Sequence, residues 1–355
     1  MYETVKIRNF RGIGKLDVDD LTRINVLLGK NNAGKTSVLE AVFLLCGGTN
    51  PSVPNAIAAY RGQRTMNVLP DNVWRPLFHQ MDPNTPIRIL GRWTGDSSDR
   101  QLQIEATLQG ANPEVEAATG VGTAMYDDEL TIEMLTLNYT DANQREYRTQ
   151  AKYDAQRRGL DVLPVDREDF VRCQFLSARS YPAMDRDARQ FSHLVRIKQQ
   201  HEIEEALRII EPRVQRVELL AEYGGSAIYV DLGLPSLIPL AACGEGFVRF
   251  FSIIVEITSC RQGVLLIDEI DNGLHYSVMK KLWKLLGRLS EKHDVQIIAT
   301  THNEELITSA VEALSDQLDS LAVYRIDRFN TGHNAVRYDA ETLPAVCDAH
   351  FEIRG

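Results

Sequence analysis

Gly29-Lys30-Asn31-Asn32-Ala33-Gly34-Lys35-Thr36 fills every fixed position of the phosphate-binding pattern G-x-x-x-x-G-K-[ST]. Each fixed residue type has a mechanical purpose. Glycines let backbone N–H groups converge on phosphate oxygens with no side chain in the way. Lys35 is placed to reach the β- and γ-phosphates of a bound triphosphate, and the Thr36 hydroxyl to ligate Mg2+. The candidate nucleotide-binding run is therefore Gly29 to Thr36, extended to Ser37. Upstream, Ile24-Asn25-Val26-Leu27-Leu28 reads as a short buried strand; downstream, Thr36 to Leu45 reads as an amphipathic helix with its N-terminus toward the phosphates. Strand, loop and helix in that order imply an α/β fold that binds a nucleoside triphosphate.

A second half of the same site is legible further along. Val264-Leu265-Leu266-Ile267 is a buried strand that ends in two adjacent carboxylates, Asp268 and Glu269. Function in an open α/β sheet gathers at the C-terminal ends of strands. Asp268 is placed to hold Mg2+, and Glu269 to polarise the attacking water as general base. The next apolar strand, Val295 to Thr300, leads to His302, which beside a γ-phosphate could sense the triphosphate and orient that water.

Between these landmarks the chain alternates in type. Thr4–Phe10 alternates as a strand, Gly47–Asp82 is rich in Gly, Pro and Asn with short helices near Ala56–Tyr60 and Asn72–Phe78, and Gly110–Asp128 reads as a surface loop. Four β-rich runs, Pro86–Trp93, Gln101–Leu108, Leu130–Tyr139 and Glu146–Tyr153, predict an antiparallel layer. After a strand at Arg172–Ser177 the pattern predicts one helical stretch from Asp187 to Ile210, then a hairpin of Val214–Leu220 and Ala227–Leu232 across Glu222-Tyr223-Gly224-Gly225. Helices follow at Gly246–Ser259 and Tyr276–Leu289, and a late strand at Leu321–Arg325. No sustained heptads occur, so a long coiled-coil arm is not expected.

Of the 355 residues, 44% are hydrophobic and 25% charged, the balance of a globular chain with an ample core. No stretch is apolar and long enough for a membrane span, and Met1-Tyr2-Glu3 opens straight into a strand pattern, so neither membrane insertion nor a signal peptide is expected. The five cysteines are scattered without C-x-x-C spacing, which points away from zinc and disulfides and toward a reducing cytoplasm. The net charge of −10 argues against non-specific coating of nucleic acid. Two basic clusters, Arg145/Arg148/Lys152/Arg157/Arg158 and Arg186/Arg189/Arg196/Lys198, keep DNA open as a partner. The D-x-D triplets at Asp17–Asp19 and Asp185–Asp187 read as surface acids.

Phosphate loop, Asp268-Glu269 and strand-terminal His302 together resemble the ABC-type ATPases, above all the RecF/SMC/OLD branch. The opening Val5-Lys6-Ile7-Arg8-Asn9-Phe10-Arg11-Gly12 is similar to that branch's first strand, and Gly34-Lys35-Thr36-Ser37-Val38-Leu39-Glu40-Ala41 to its loop and helix. The Asp268-to-His275 run and the ending Glu352-Ile353-Arg354-Gly355 resemble compact, arm-less prokaryotic AAA-family members. The resemblance implies a P-loop NTPase fold with an ABC-ATPase-like head: a mixed central sheet flanked by helices, an antiparallel β layer and a helical subdomain. It implies one head over 1–355, with a phosphate-loop lobe at 1–180, a helical and signature subdomain at 181–262, and the Walker-B and switch-histidine part at 263–355.

By the same resemblance the signature loop is Cys243-Gly244-Glu245-Gly246, whose Gly244 to Gly246 would contact the γ-phosphate held by a partner copy; it lacks the usual serine and has Glu245 where a small residue is usual. Asn272 to His275 would form the subunit-crossing loop, and Ser177 to Ser180 the loop joining two lobes, where the usual glutamine is not evident although Gln174 is near. The implied function is an ATP hydrolase with Lys35, Glu269 and His302 as catalytic residues, Thr36 and Asp268 on Mg2+, and head-to-tail dimers closed by two ATP molecules. Such relatives serve DNA repair or phage defence, often with a nuclease. About fifty residues follow His302, too few for a typical added nuclease domain, so a separately encoded effector is expected. A non-hydrolysing nucleotide-gated scaffold and a RecF-like DNA-binding ATPase remain the alternatives, and ATP is favoured over GTP only because no N-K-x-D pattern occurs.

Overall fold

The computed structural model describes residues 1–63, 70–109, 130–154, 159–162, 170–178, 184–222, 225–330 and 332–348. The loop expected at Gly110–Asp128, the cations Arg157 and Arg158, Arg179 and Ser180, the turn residues Tyr223 and Gly224, and the Glu352–Gly355 ending lie outside them. The chain forms two compact units that interleave along the sequence: Met1–Leu21, Lys30–Val171 and Ile326–Val336 make the first, and Thr22–Gly29, Arg172–Arg325 and Arg337–Gly355 the second.

In chain order the first elements are β1 (Tyr2–Phe10), β2 (Ile13–Val18), β3 (Ile24–Leu28, part of the second unit), α1 (Lys35–Cys46), α2 (Val53–Tyr60) and α3 (Pro70–Trp74). Then come β4 (Ile87–Trp93), β5 (Arg100–Gln109), β6 (Thr131–Thr140), β7 (Glu146–Asp154) and β8 (Gly159–Val162). The first unit is built on a seven-stranded antiparallel sheet in the order β2-β1-β4-β5-β6-β7-β8. All four β-rich runs of the sequence are in it, and β1, β2 and β8 extend it. Alternation on β1 buries Tyr2, Val5, Ile7 and Phe10, against which α1 packs.

The expectation of an amphipathic α1 needs correction. The helix is buried on nearly every side, and the burial includes Glu40, 1% exposed. Its carboxylate survives burial because two cations meet it: Arg11 Nε at 2.6 Å and the Arg61 guanidinium at 2.6 and 2.9 Å. Burial lowers the Arg11 pKa, and the adjacent Glu40 opposes that shift.

The second unit continues with β9 (Cys173–Leu176), α4 (Met184–Arg196), α5 (Gln200–Arg208), β10 (Arg216–Glu222), β11 (Gly225–Asp231), β12 (Ile238–Pro239) and α6 (Glu245–Ser259). Further along come β13 (Val264–Ile267), α7 (Tyr276–His293), β14 (Gln296–Thr300), α8 (Glu304–Ala313), β15 (Leu321–Phe329), β16 (Gly332–Tyr338) and α9 (Leu343–Asp348), of which the end of β15 from Ile326 and most of β16 belong to the first unit. The main sheet runs β16-β15-β3-β14-β13-β9, with β15, β3, β14, β13 and β9 all parallel. A parallel sheet covered on its faces needs continuous apolar strands, and β3, β13 and β14 are buried at every position. Helix α6 is buried without a break from Val248 to Thr258 and forms the centre of this unit's core, with Phe191, Trp283 and Leu286.

The single helix expected from Asp187 to Ile210 is two. Lys198 adopts φ 60°, and the N–H of Gln199 turns back to the Leu194 carbonyl at 2.8 Å. The buried face of α4 is Ala188, Phe191 and Leu194; that of α5 is Ile203, Ala206 and Leu207. Leu194 and Ile203 would stand about two and a half turns apart in an unbroken helix, on opposite faces. Only a break lets both faces reach one core.

Candidate active site

The phosphate loop leaves the C-terminal end of β3 and opens α1. Gly34 caps the helix at φ 98° and ψ 6°, a backbone setting that excludes an ordinary side chain even though space for a Cβ exists. Within the loop the Ala33 N–H meets the Lys30 carbonyl at 3.2 Å, and the Val38 N–H takes the Gly34 carbonyl at 3.0 Å. Lys35 Nζ reaches back to the Lys30 carbonyl at 3.0 Å. Lys30, Asn31 and Asn32 are exposed, Thr36 is half-buried, and Ala33 and Ser37 are buried. No acidic residue occupies the first turn of α1, which leaves its N-terminal dipole available to an anion.

In the second unit the parallel register sets Ile267 opposite Ala299 and Thr300 opposite Leu27, so β13, β14 and β3 end side by side. Asp268 and Thr300 therefore leave adjacent strands at one level. Thr300 Oγ1 donates to Asp268 Oδ1 at 2.7 Å and accepts the Glu269 N–H at 2.8 Å. Asp268 is buried, while Glu269, the next residue, is exposed and held at φ 48°. One hydroxyl thus fixes both the Asp268 carboxylate and the backbone of Glu269. Thr301 Oγ1 donates to Asp271 Oδ1 at 2.7 Å and accepts the Asn303 N–H at 3.0 Å, which secures the turn that presents the exposed His302.

The loop expected to carry the signature opens α6. Gly244 caps that helix at φ 91° and, with Glu245, is exposed. Gly246 faces Gly273: a Cβ on Gly246 would fall 2.5 Å from the Gly273 carbonyl oxygen. Asn272, Gly273 and His275 are exposed, His275 caps α7 by accepting the Ser277 N–H, and its ring lies 4.2 Å from that of Tyr276.

Comparison with known proteins fits this geometry. A model of the AAA ATPase domain matches residues 1–153, and one described as "AAA domain, putative AbiEii toxin, Type IV TA system" matches residues 142–308. This chain is an ATPase, similar to AAA-type ATPase domains over residues 1–308. A protein of Helicobacter pylori named ATP/GTP phosphatase is 22% identical over 331 residues, 86% of each chain. The DNA replication and repair protein RecF of Lactobacillus acidophilus is 49% identical over 39 residues, which is 11% of this chain and 10% of that protein. In fold the ATPase is similar to an Smc head solved with the C-terminal winged-helix domain of ScpA, at 13% identity and a TM-score of 0.53 over 97% of this chain and 99% of that one. The Smc head of Pyrococcus furiosus gives 11% and 0.51 over 98% and 99%.

The ATPase departs from its sequence reading at the second basic cluster. Arg186 is not a surface cation: Nε lies 2.6 Å from the fully buried Glu256, Nη1 donates to the Phe175 carbonyl and Nη2 to Gln174 Oε1. Gln174, near the lobe-joining loop, is thus engaged by Arg186. Arg189, Arg196 and Lys198 are exposed. Of the two acid triplets, Asp17, Asp19 and Asp185 lie at the surface as expected, and Asp187 does not. Asp17 pairs with Arg8, and Asp187 is buried and accepts from the Ser252 hydroxyl; burial raises the pKa of both Asp187 and Glu256. Among the described residues no helix is long and apolar enough to cross a membrane.

Proposed function

We propose that the ATPase works as a clamp of two copies, closed head to tail by two ATP molecules and opened by hydrolysis, and that closure gates a separately encoded, nuclease-like effector in phage defence or DNA repair. The observation that carries the reading is the division of labour at the end of β13: Asp268 is buried and fixed by Thr300, and Glu269 is exposed on the same turn. A fixed, buried carboxylate suits a metal ligand. An exposed neighbour is open to accept the proton of an attacking water.

Lys35 and the N–H groups of the phosphate loop bind the β- and γ-phosphates, and His302 orients the water at the terminal phosphate. Thr36 and Asp268 each offer a hard oxygen donor of the kind Mg2+ takes, and Mg2+ would offset the charge of the phosphates. The exposed Gly244–Glu245 loop and the exposed Asn272–His275 run support a site completed by a second copy. The toxin–antitoxin wording of the matching family model supports a defence setting.

Light scattering after size exclusion tests the clamp, with wild type and Glu269→Gln each run with and without Mg·ATP. The expected result is a dimer that forms with ATP in both proteins and outlasts prolonged incubation only in the variant. An assembly state indifferent to nucleotide in both would discard the clamp.

A further inference from the structure

Arg249 stands one turn into α6, and the tip of its side chain is devoted to the main chain of other elements. Nη2 donates to the carbonyl oxygen of Asp268 at 2.7 Å and lies 3.4 Å from that of Glu269; Nη1 lies 3.4 Å from the carbonyl oxygen of Ser177, just past β9. The residue is only 7% exposed, and its Nε is buried with no hydrogen-bond partner. Burial lowers its pKa against the pull of Asp268, Asp187, Glu269 and Asp271. A buried guanidinium that clamps carbonyls rather than forking onto one carboxylate is an expensive way to hold a helix in place.

What it clamps is specific. The peptide group joining Asp268 to Glu269 is held at both ends, its C=O by Arg249 and its N–H by Thr300. That peptide cannot rotate, so Glu269 is kept at φ 48°, a setting that costs a non-glycine residue roughly 1–2 kcal/mol and persists only where the surroundings impose it. Three residues before Arg249, Gly246 is in close contact with the Gly273 carbonyl, and Gly273 in turn packs under the Glu245 side chain. The first turn of α6 therefore touches the turn bearing the base and the loop that follows it.

We propose that Arg249 is the positioning residue of the hydrolytic base: it fixes the Asp268–Glu269 peptide and ties the orientation of Glu269 to the loop Gly244-Glu245-Gly246 at the start of α6. The proposal rests on the reading of Glu269 as base. It makes a displacement of that loop, such as a partner's nucleotide would cause, register at the base of the same chain. Arg249 itself touches no substrate.

The test compares full-length wild type, Arg249→Lys, Arg249→Met and Glu269→Gln in steady-state ATP turnover, affinity for a fluorescent ATP analogue, and thermal unfolding. For Arg249→Met kcat falls by roughly 30-fold or more, with KM and nucleotide affinity within about threefold of wild type, because binding is intact and only the transition state loses its base. Lysine supplies a single point donor in place of the fork, so Arg249→Lys recovers part of the loss, to within about tenfold of wild type. A loss of kcat matched by an equal rise in KM would mean that Arg249 merely supports the fold and would overturn the proposal. So would turnover within about twofold of wild type in both variants. If Arg249→Met fails to fold, Arg249→Lys decides alone: a kcat loss of about threefold or more at constant KM sustains the proposal, and a smaller one overturns it. Wild-type turnover by Glu269→Gln would remove Glu269 as base, and this proposal with it. An inactive Glu269→Gln beside an unaffected Arg249→Lys removes only the positioning role.

Discussion

Thr300 illustrates how a single hydroxyl can organise the turn that carries Asp268 and Glu269. It gives its proton to buried Asp268 and takes the N–H of Glu269. Thr300→Val preserves the branched shape on β14 and leaves both groups without that partner. An unsatisfied buried acceptor costs about 1–3 kcal/mol, so unfolding should occur at lower temperature by several degrees. Catalysis should suffer more, with kcat down by about tenfold or more and KM little changed, as read by steady-state assay beside calorimetry. The phosphate loop, Asp268 and Glu269 stand out in the sequence because each belongs to a dense local pattern. Thr300 and Arg249 do not. Their roles arise from pairings 32 and 19 residues away, and a lone Thr at a strand end or a lone Arg inside an apolar helix carries no local signal. Arg186 misleads for the same reason, since its partner Glu256 lies on another helix.

Elements were legible where period and length agreed. Strand β13 matches its expected bounds, and α6 begins one residue before them, because unbroken apolar runs beside Gly and paired acids leave little choice. Strand β2 is the converse: Ile13, Leu16 and Val18 are buried, but two glycines and a short length weaken its signal. The break between α4 and α5 was hidden because neither Gly nor Pro marks it; the shift in apolar phase does. A polar clip then joins α5 to the end of α7. Glu202 accepts from Lys292 at 2.8 Å and contacts His293 at 3.0 Å. Burial pushes the Glu202 carboxyl upward, but these two partners outweigh it and bring the pKa to about 2. A depressed carboxylate stabilises the fold above its unfolded pKa, near 4.5, and that contribution disappears as pH falls toward 2. Glu202→Gln should therefore lose less stability than wild type between those pH values, as followed by circular dichroism during acid titration.

Across the whole molecule the governing quantity is charge. Each copy carries −10, so the two copies and two nucleotides of the proposed clamp would come together against their mutual repulsion. The Debye length shrinks from about 30 Å at 0.01 M salt to about 8 Å at 0.15 M. ATP-dependent dimerisation should accordingly tighten with added salt over that range, the reverse of what DNA binding through basic residues would show. Sedimentation of Glu269→Gln with Mg·ATP at graded salt separates the two trends.

Strand β3 sits between β14 and β15, and its Asn25 side chain donates to the Ile297 carbonyl 272 residues away. During synthesis the segment that launches the phosphate loop emerges long before both neighbouring strands, β14 and β15. Until then an apolar strand and its open edges must be kept from pairing elsewhere, which is where aggregation and chaperone capture would act. Nucleotide binding is thereby a certificate that translation has passed β14 and β15: a chain stopped before β14 carries the whole loop sequence and lacks both strands that flank β3.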